Sequence, residues 1–252
     1  MKEFLNLEYA NKEACKLDIF TPETDSFETI IWFHGGGLEK GDKGMGKPLA
    51  EDFTKAGYAF VSVEYTMYPT AKYPEFIIDA AKAVAYVKNN IKKYGGDDNA
   101  LYVSGQSAGA WMATMLCVNE NYLLNEGVNP LEIRGWLIDS AQVTAHFNVL
   151  AKEQNLDHRL QRINEFAPLY YINDKTRFTK MLLMFYENDM PCRYEQNMLF
   201  YKAILEFNKD AIISYKVLKG THCYGSNRRD ENGEFEYVQT SLKALSDWKG
   251  IK

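Results

Sequence analysis

The pentapeptide Gly105-Gln106-Ser107-Ala108-Gly109 has the pattern G-x-S-x-G, whose chemistry would be attack by the Ser107 hydroxyl on a carboxylic ester. The pattern works through geometry. The serine must sit in a strained turn between a strand and a helix, and the flanking glycines let those two elements pass closely. Leu101-Tyr102-Val103-Ser104 is strand-like and Ala108 to Val118 is helix-like. The helix N-terminus would then aim its amides at an anion forming beside Ser107. Without that context the same five residues would be a Gly/Ser turn and nothing more.

Three consecutive glycines, in His34-Gly35-Gly36-Gly37, follow the apolar run Thr29-Ile30-Ile31-Trp32-Phe33. Such a loop lets backbone amides come close to a substrate. Together with the amide of the residue after the nucleophile, they would hold the oxyanion of a tetrahedral intermediate. The candidate donors are Gly36, Gly37 and Ala108, each worth about 2.7–4 kcal/mol in the transition state. His34, at a strand end, reads as orienting this loop by a hydrogen bond rather than as a base.

A serine hydroxyl needs a histidine to take its proton, and the histidine needs a carboxylate to fix its tautomer. The four histidines are His34, His146, His158 and His222. His146 and His158 are expected at the surface of a polar connection. His222 lies in Lys219-Gly220-Thr221-His222-Cys223-Tyr224-Gly225, after the strand-like run Ile212–Leu218. That is the place of the last member in the order Ser…Asp/Glu…His. The acid should follow the preceding strand, Met181–Tyr186, which favours Asp189 over its neighbour Glu187. Asp139, ending the run Gly135–Ile138, is the third candidate.

These residues must be positioned by a scaffold. Apolar runs at Thr29–Phe33, Tyr58–Val63, Leu101–Ser104, Gly135–Ile138, Met181–Tyr186 and Ile212–Leu218 suit strands buried on both faces. Helical patterns at Ile77–Ile91, Ser107–Val118 and Tyr194–Phe207 lie between them. The alternation predicts an α/β fold with a doubly wound, mostly parallel sheet. Phe4–Tyr9 and Cys15–Phe20 read as antiparallel strands at its edge. Residues 1–252 form one domain, in which 141–179 breaks the alternation. That segment is polar, with candidate short helices at Asn148–Gln154 and Leu156–Phe166. It reads as a small lid insertion over the site, with an ordinary long connection as the competing reading.

Composition narrows the partners. The chain of 252 residues is 46% hydrophobic, enough for one sizeable core. Its formal net charge of −5, with scattered Lys and Arg, disfavours nucleic acid. Arg228-Arg229 is followed at once by Asp230-Glu231 and reads as a solvated turn. The first nine residues contain acids and no apolar h-region, so neither a signal nor a transit peptide is expected. No window approaches the ~20 apolar residues of a membrane span. Cys15, Cys117, Cys192 and Cys223 lack C-x-x-C spacing, which argues against a zinc site or disulfide framework. A cytoplasmic location is the expectation. Nothing in the sequence sets the oligomeric state.

Taken together, the motifs resemble the hormone-sensitive-lipase-like branch of the α/β-hydrolases, bacterial carboxylesterases and acetylesterases. The resemblance rests on His34-Gly35-Gly36-Gly37, Tyr73-Pro74 with Asp79-Ala80, Tyr94-Gly95-Gly96-Asp97 and Gly105-Gln106-Ser107-Ala108-Gly109. It continues through Ala167-Pro168-Leu169, Asp189 and Gly220-Thr221-His222, nearly the whole chain in order. It implies a triad of Ser107, Asp189 and His222 and an oxyanion hole of Gly36, Gly37 and Ala108. Three features depart from the branch. Gln106 stands where an acid is usual, Thr66 stands where an Arg commonly follows Tyr65, and the helical N-terminal cap of many members is missing. Together these departures bring the sequence closer to small bacterial esterases of acetylated or feruloylated sugars and to arylformamidase-like enzymes.

The expected reaction is a two-step acyl transfer on a small-molecule ester, short-chain or acetyl, with a sugar as one candidate alcohol. It calls for no metal and no organic cofactor. An amide-cleaving hydrolase, an arylformamidase or peptidase, would use the same triad. A non-catalytic binding protein on this fold would be expected to have lost a triad member, and all three are present. Trp111, Met190, Tyr224 and the aromatics around Phe147 and Tyr170 are candidate pocket walls, with plain core as the competing role.

Overall fold

Along each central strand, side chains alternate between two faces, and that alternation sorts a single sheet's residues into two cores. The computed structural model describes residues 1–250. Its strands are β1 (Lys2–Glu8), β2 (Lys16–Thr21), β3 (Phe27–Phe33), β4 (Ala59–Val63), β5 (Gly96–Gln106), β6 (Gly135–Asp139), β7 (Lys180–Asn188) and β8 (Ile212–Thr221). The helices are α1 (Lys47–Lys55), α2 (Glu75–Asn90), α3 (Ala108–Val118), α4 (Asn121–Leu124), α5 (Phe147–Glu153), α6 (Arg193–Phe207), α7 (Tyr224–Asn227) and α8 (Glu236–Lys249). The eight strands form one sheet in the order β1-β2-β4-β3-β5-β6-β7-β8. β1 pairs antiparallel with β2 and β2 antiparallel with β4, while every pairing from β4 to β8 is parallel. The expected doubly wound sheet with an antiparallel N-terminal edge is therefore the fold.

Ile31, Phe33, Val61, Val103 and Ile138 face one side, where α2, α3 and α6 pack against them. Ile30, Trp32, Phe60, Tyr102 and Leu137 face the other, against α1 and α8. Each fully buried side chain of this kind contributes about 1.5–3 kcal/mol. Helix α3 differs from its neighbours because every residue in it is buried. Its composition, AGAWMATMLCV, has no polar stripe to turn toward water. The element that starts at Ser107 is thus the one most firmly embedded.

The segment 141–179 departs from expectation in two places. α5 forms where Asn148–Gln154 predicted a helix, but no helix forms over Leu156–Phe166. Asn155 takes the left-handed conformation at φ 51° just after α5. Beyond it, Asp157 and Asn164 accept from the backbone amides of Arg159 and Phe166 at 2.9 and 3.3 Å. Such side-chain bonds to the residue two further on compete with helical pairing. The second departure is His146, expected at the surface and in fact 1% exposed. It stacks on Phe147, with ring centroids 4.4 Å apart. His158 is exposed as expected.

Candidate active site

Parallel pairing aligns the C-terminal ends of the strands, so the loops that follow them gather at one edge of the sheet. Phe33 pairs with Gly105, Gln106 with Asp139, Asp139 with Met184, and Asn188 with Thr221. Residues 34–37, Ser107, Ser140, Asp189 and His222 leave adjacent strand ends.

Ser107 occupies the turn from β5 to α3 at φ 54°, ψ −111°. A left-handed φ at a serine stores strain that persists only when the surroundings enforce it. They do so through the Ser107 amide, which donates to Asp139 O at 2.8 Å, and through the flanking glycines. A Cβ on Gly105 would lie 2.3 Å from the Gly109 carbonyl carbon, and one on Gly109 would lie 2.1 Å from Phe33 O. Strand and helix touch backbone to backbone, which is why only glycine fits there.

His222 Nε2 is 2.8 Å from Ser107 Oγ, and its Nδ1 is 2.5 Å from Asp189 Oδ1. Asp189 is the acid that the structure brings to His222. Its Oδ1 also accepts from the Met190 amide at 2.7 Å, and its Oδ2 accepts from the Tyr186 amide at 3.2 Å and from Ser140 Oγ. Burial pushes this carboxyl up, but the bonds from His222, Ser140 and the Met190 amide outweigh it and hold it below its ordinary value. An ionised carboxylate so held fixes the imidazole with its proton on Nδ1, leaving Nε2 free to accept from Ser107. Ser140 Oγ also lies 2.9 Å from His222 Nδ1. This residue escaped the sequence reading because its position depends on a left-handed turn at φ 59° after β6, which a serine does not announce.

The competing acids are placed elsewhere. Glu187 is exposed. Asp139 is fully buried and accepts from Ser226 Oγ at 2.6 Å, while Ser226 Oγ accepts in turn from Gln106 Nε2 at 2.7 Å. Gln106, the residue before the serine, thus ties the turn to the loop after His222. Burial lifts the Asp139 carboxyl to about 7, against about 3.9 in an unfolded chain. The folded chain holds that proton more tightly, so this group's contribution to stability declines as pH rises from about 4 to about 7. Asp139→Asn is therefore expected to flatten the fall in Tm across that range and to leave kcat within a few-fold. A pH series of thermal melts beside initial rates checks both.

The other histidines lack a relay. Burial, reinforced by the Arg193 charge, lowers His146 to about 3, which keeps it neutral. His34 is fully buried and stacked on Tyr65, with Nδ1 2.7 Å from Gly35 O and Nε2 3.1 Å from Glu64 Oε1. Because Gly35 O can only accept, His34 Nδ1 donates to it and orients the loop, as its strand-end position suggested. Gly36 has φ 117°, and a Cβ there would fall 1.8 Å from Lys40 O. Its carbonyl accepts from the Glu39 and Lys40 amides, both at 3.2 Å, in a tight turn. Among the described residues the Gly36 and Gly37 amides donate to no protein acceptor. The Ala108 amide stands in the first turn of α3, where no intrahelical acceptor exists.

These residues border a cleft of about 440 Å³ lined by Gly36, Gly37, Ser107 and His222, with Phe147 and Met190 as its apolar walls. A larger concavity, about 550 Å³, opens at the far end of the sheet beside Tyr102, Arg134 and Trp248, away from any of these groups. Trp111 is core, fully buried, and donates through Nε1 to Phe166 O at 3.2 Å. Tyr170 and Tyr224 are exposed. Thr66 and its amide donate to buried Asp79, which pairs with Lys12 Nζ at 2.8 Å. A cation from the β1–β2 turn therefore meets Asp79, beside the place where the resembling family commonly has an Arg. Among the described residues no group of three or more His, Cys, Asp or Glu is placed to hold a metal ion, and no helix is long and apolar enough to cross a membrane.

The BD-FAE family model matches residues 17–134. The isoprenylcysteine alpha-carbonyl methylesterase of Arabidopsis thaliana is 28% identical over 145 residues, 56% of this chain and 32% of that protein. Esterase LipQ of Mycobacterium tuberculosis is 33% identical over 81 residues, 32% of this chain and 19% of that protein. Matches to the plant methylesterases span 27–37% of those proteins' own length. In structure, esterase B of Lactobacillus rhamnosis superposes over 99% of this chain and 85% of its own, with TM-score 0.79 and 15% identity. A truncated carbohydrate esterase from gut microbiota covers 99% of this chain and 97% of its own, at TM-score 0.77 and 17% identity. The fold is shared over nearly the whole chain and the family-model match lies in its first half, so the chain has the α/β-hydrolase fold of these esterases.

Proposed function

We propose that this chain is a serine esterase that hydrolyses small carboxylic esters through an acyl-enzyme. The observation that carries the reading is the continuous relay from Ser107 Oγ through His222 to Asp189, at 2.8 and 2.5 Å, opening on a cleft. In the first step His222 Nε2 takes the Ser107 proton as Oγ attacks the ester carbonyl. The Gly36, Gly37 and Ala108 amides hold the oxyanion, and His222 returns the proton to the departing alcohol. In the second step His222 removes a proton from water, the resulting hydroxide attacks the acyl-enzyme, and Ser107 leaves with that proton. Asp189 stays ionised throughout and stabilises the imidazolium. Residues 141–179 supply the wall of the cleft that carries Phe147 and Asn148, as a lid insertion would.

Cleft size and walls support short acyl chains. A cleft of about 440 Å³, with Met45, Phe147 and Met190 as its apolar lining, is small for acyl and alcohol parts together. A panel of p-nitrophenyl esters should therefore give the highest kcat/KM at C2–C4, with C12 at least ten-fold lower. A preference for C12 would overturn the short-chain assignment. An acetylated sugar and an N-formyl aromatic amide, run in the same panel, decide the alcohol and the bond. The esterase reading expects the matched ester to be cleaved faster than the amide.

A further inference from the structure

An oxyanion hole works only if its amides are held still, so the question for this loop is what holds each peptide plane. Peptide planarity ties the carbonyl of one residue to the amide of the next. Whatever binds the Gly35 carbonyl therefore aims the Gly36 amide, and whatever binds the Gly36 carbonyl aims the Gly37 amide. Both holders come from the loop's own neighbourhood: His34 Nδ1 on Gly35 O at 2.7 Å, and the Glu39 and Lys40 amides on Gly36 O.

The third carbonyl is different. Gly37, at φ 69°, has no side chain to restrain it. Its carbonyl accepts at 2.6 Å from Asn148 Nδ2, a residue 111 positions away on α5. The same amide group also donates to Glu39 Oε2 at 2.8 Å, so one side chain grips both ends of the turn. α5 is anchored around it. Lys152 Nζ lies 2.5 Å from Glu39 Oε1, and Glu153 accepts from the Tyr73 amide at 2.8 Å and from the Tyr68 hydroxyl. Asn148 is 8% exposed and borders the cleft.

We propose that Asn148 is a positioning residue for the oxyanion hole, through which the excursion after β6 becomes part of that hole's scaffold. This inference rests on the esterase reading. Loss of one whole donor costs about 10²–10³ in kcat. Asn148 acts on the hole one step removed, by fixing the Gly37 carbonyl and the Glu39 side chain of the turn whose Glu39 amide holds Gly36 O. Loosening that turn with every donor amide still present should therefore cost less, about ten-fold in kcat, with KM within two-fold.

The test uses the purified protein with p-nitrophenyl acetate, comparing wild type, Asn148→Ala, Asn148→Asp and Lys152→Ala. Asn148→Asp keeps the side chain's size but removes its donors, and it carries the test should the alanine variant fail to fold. Both Asn148 variants should lower kcat about ten-fold. They should weaken binding of an aryl trifluoromethyl ketone, whose hemiketal oxyanion would sit in the hole, by the same factor as kcat/KM. Lys152→Ala, which frees α5 from Glu39 but leaves the Gly37 contact, should stay within two-fold. Wild-type kcat and ketone affinity in either folded Asn148 variant would overturn the proposal, as would a loss confined to KM. A wild-type protein without ester hydrolysis would instead defeat the esterase reading, and the inference with it.

Discussion

Ser107→Ala is expected to lower kcat for p-nitrophenyl acetate by about 10⁶-fold, the scale seen when a triad serine is removed. The alanine keeps the Cβ that the turn already accommodates, so the strained backbone at φ 54° and its bond to Asp139 O should persist. Only Oγ is lost. His222 would still face the cleft and the oxyanion amides would still be present, so a residual rate of about 10³–10⁴ over water should survive. The variant should melt within a few degrees of wild type, which separates lost chemistry from lost fold. Initial rates on both proteins, with thermal melts alongside, check the pair of expectations.

Asp189→Asn carries the second largest expected effect, a fall in kcat of about 10⁴-fold. The asparagine would fit the same space, and its carbonyl oxygen could still accept from one side. Its NH2 group, turned toward His222 Nδ1, would favour the tautomer with the proton on Nε2. That proton would face Ser107 and block its activation. The comparison with the other acids makes the result diagnostic. Asp139→Asn should stay within a few-fold and Glu187→Gln should match wild type, because neither residue reaches the imidazole. Rates of the three variants, measured at one pH between 7 and 8, separate the acids in a single experiment.

The elements nearest the chemistry were the most legible. The turn at Ser107 could be read because its requirements are local: a strand, two glycines and a helix within about twenty residues. The loop at 34–37 and His222 were read in the same way, from strand ends followed by glycine. The acid was not settled by the chain. Asp139, Glu187 and Asp189 all stand at or just past strand ends, and only the approach of the loop after β8 distinguishes them. Ser140 and Asn148 were out of reach for a related reason. One depends on a left-handed turn and the other on a contact across 111 residues. Over Leu156–Phe166 the helical propensity was real, but Asp157 and Asn164 spend their side chains on nearby amides and the helix does not form. His146 departs from its expected surface position because it caps α5 and is folded inward with it, although the stretch around it is polar.

The most direct test of Ser107 as nucleophile is covalent trapping. Folded wild-type protein treated with a fluorophosphonate should gain the mass of a single adduct, mapped by peptide mass spectrometry to Ser107. The adduct should be absent from Ser107→Ala and form far more slowly in Asp189→Asn. An adduct on another residue, or no adduct in folded wild-type protein, would contradict the account.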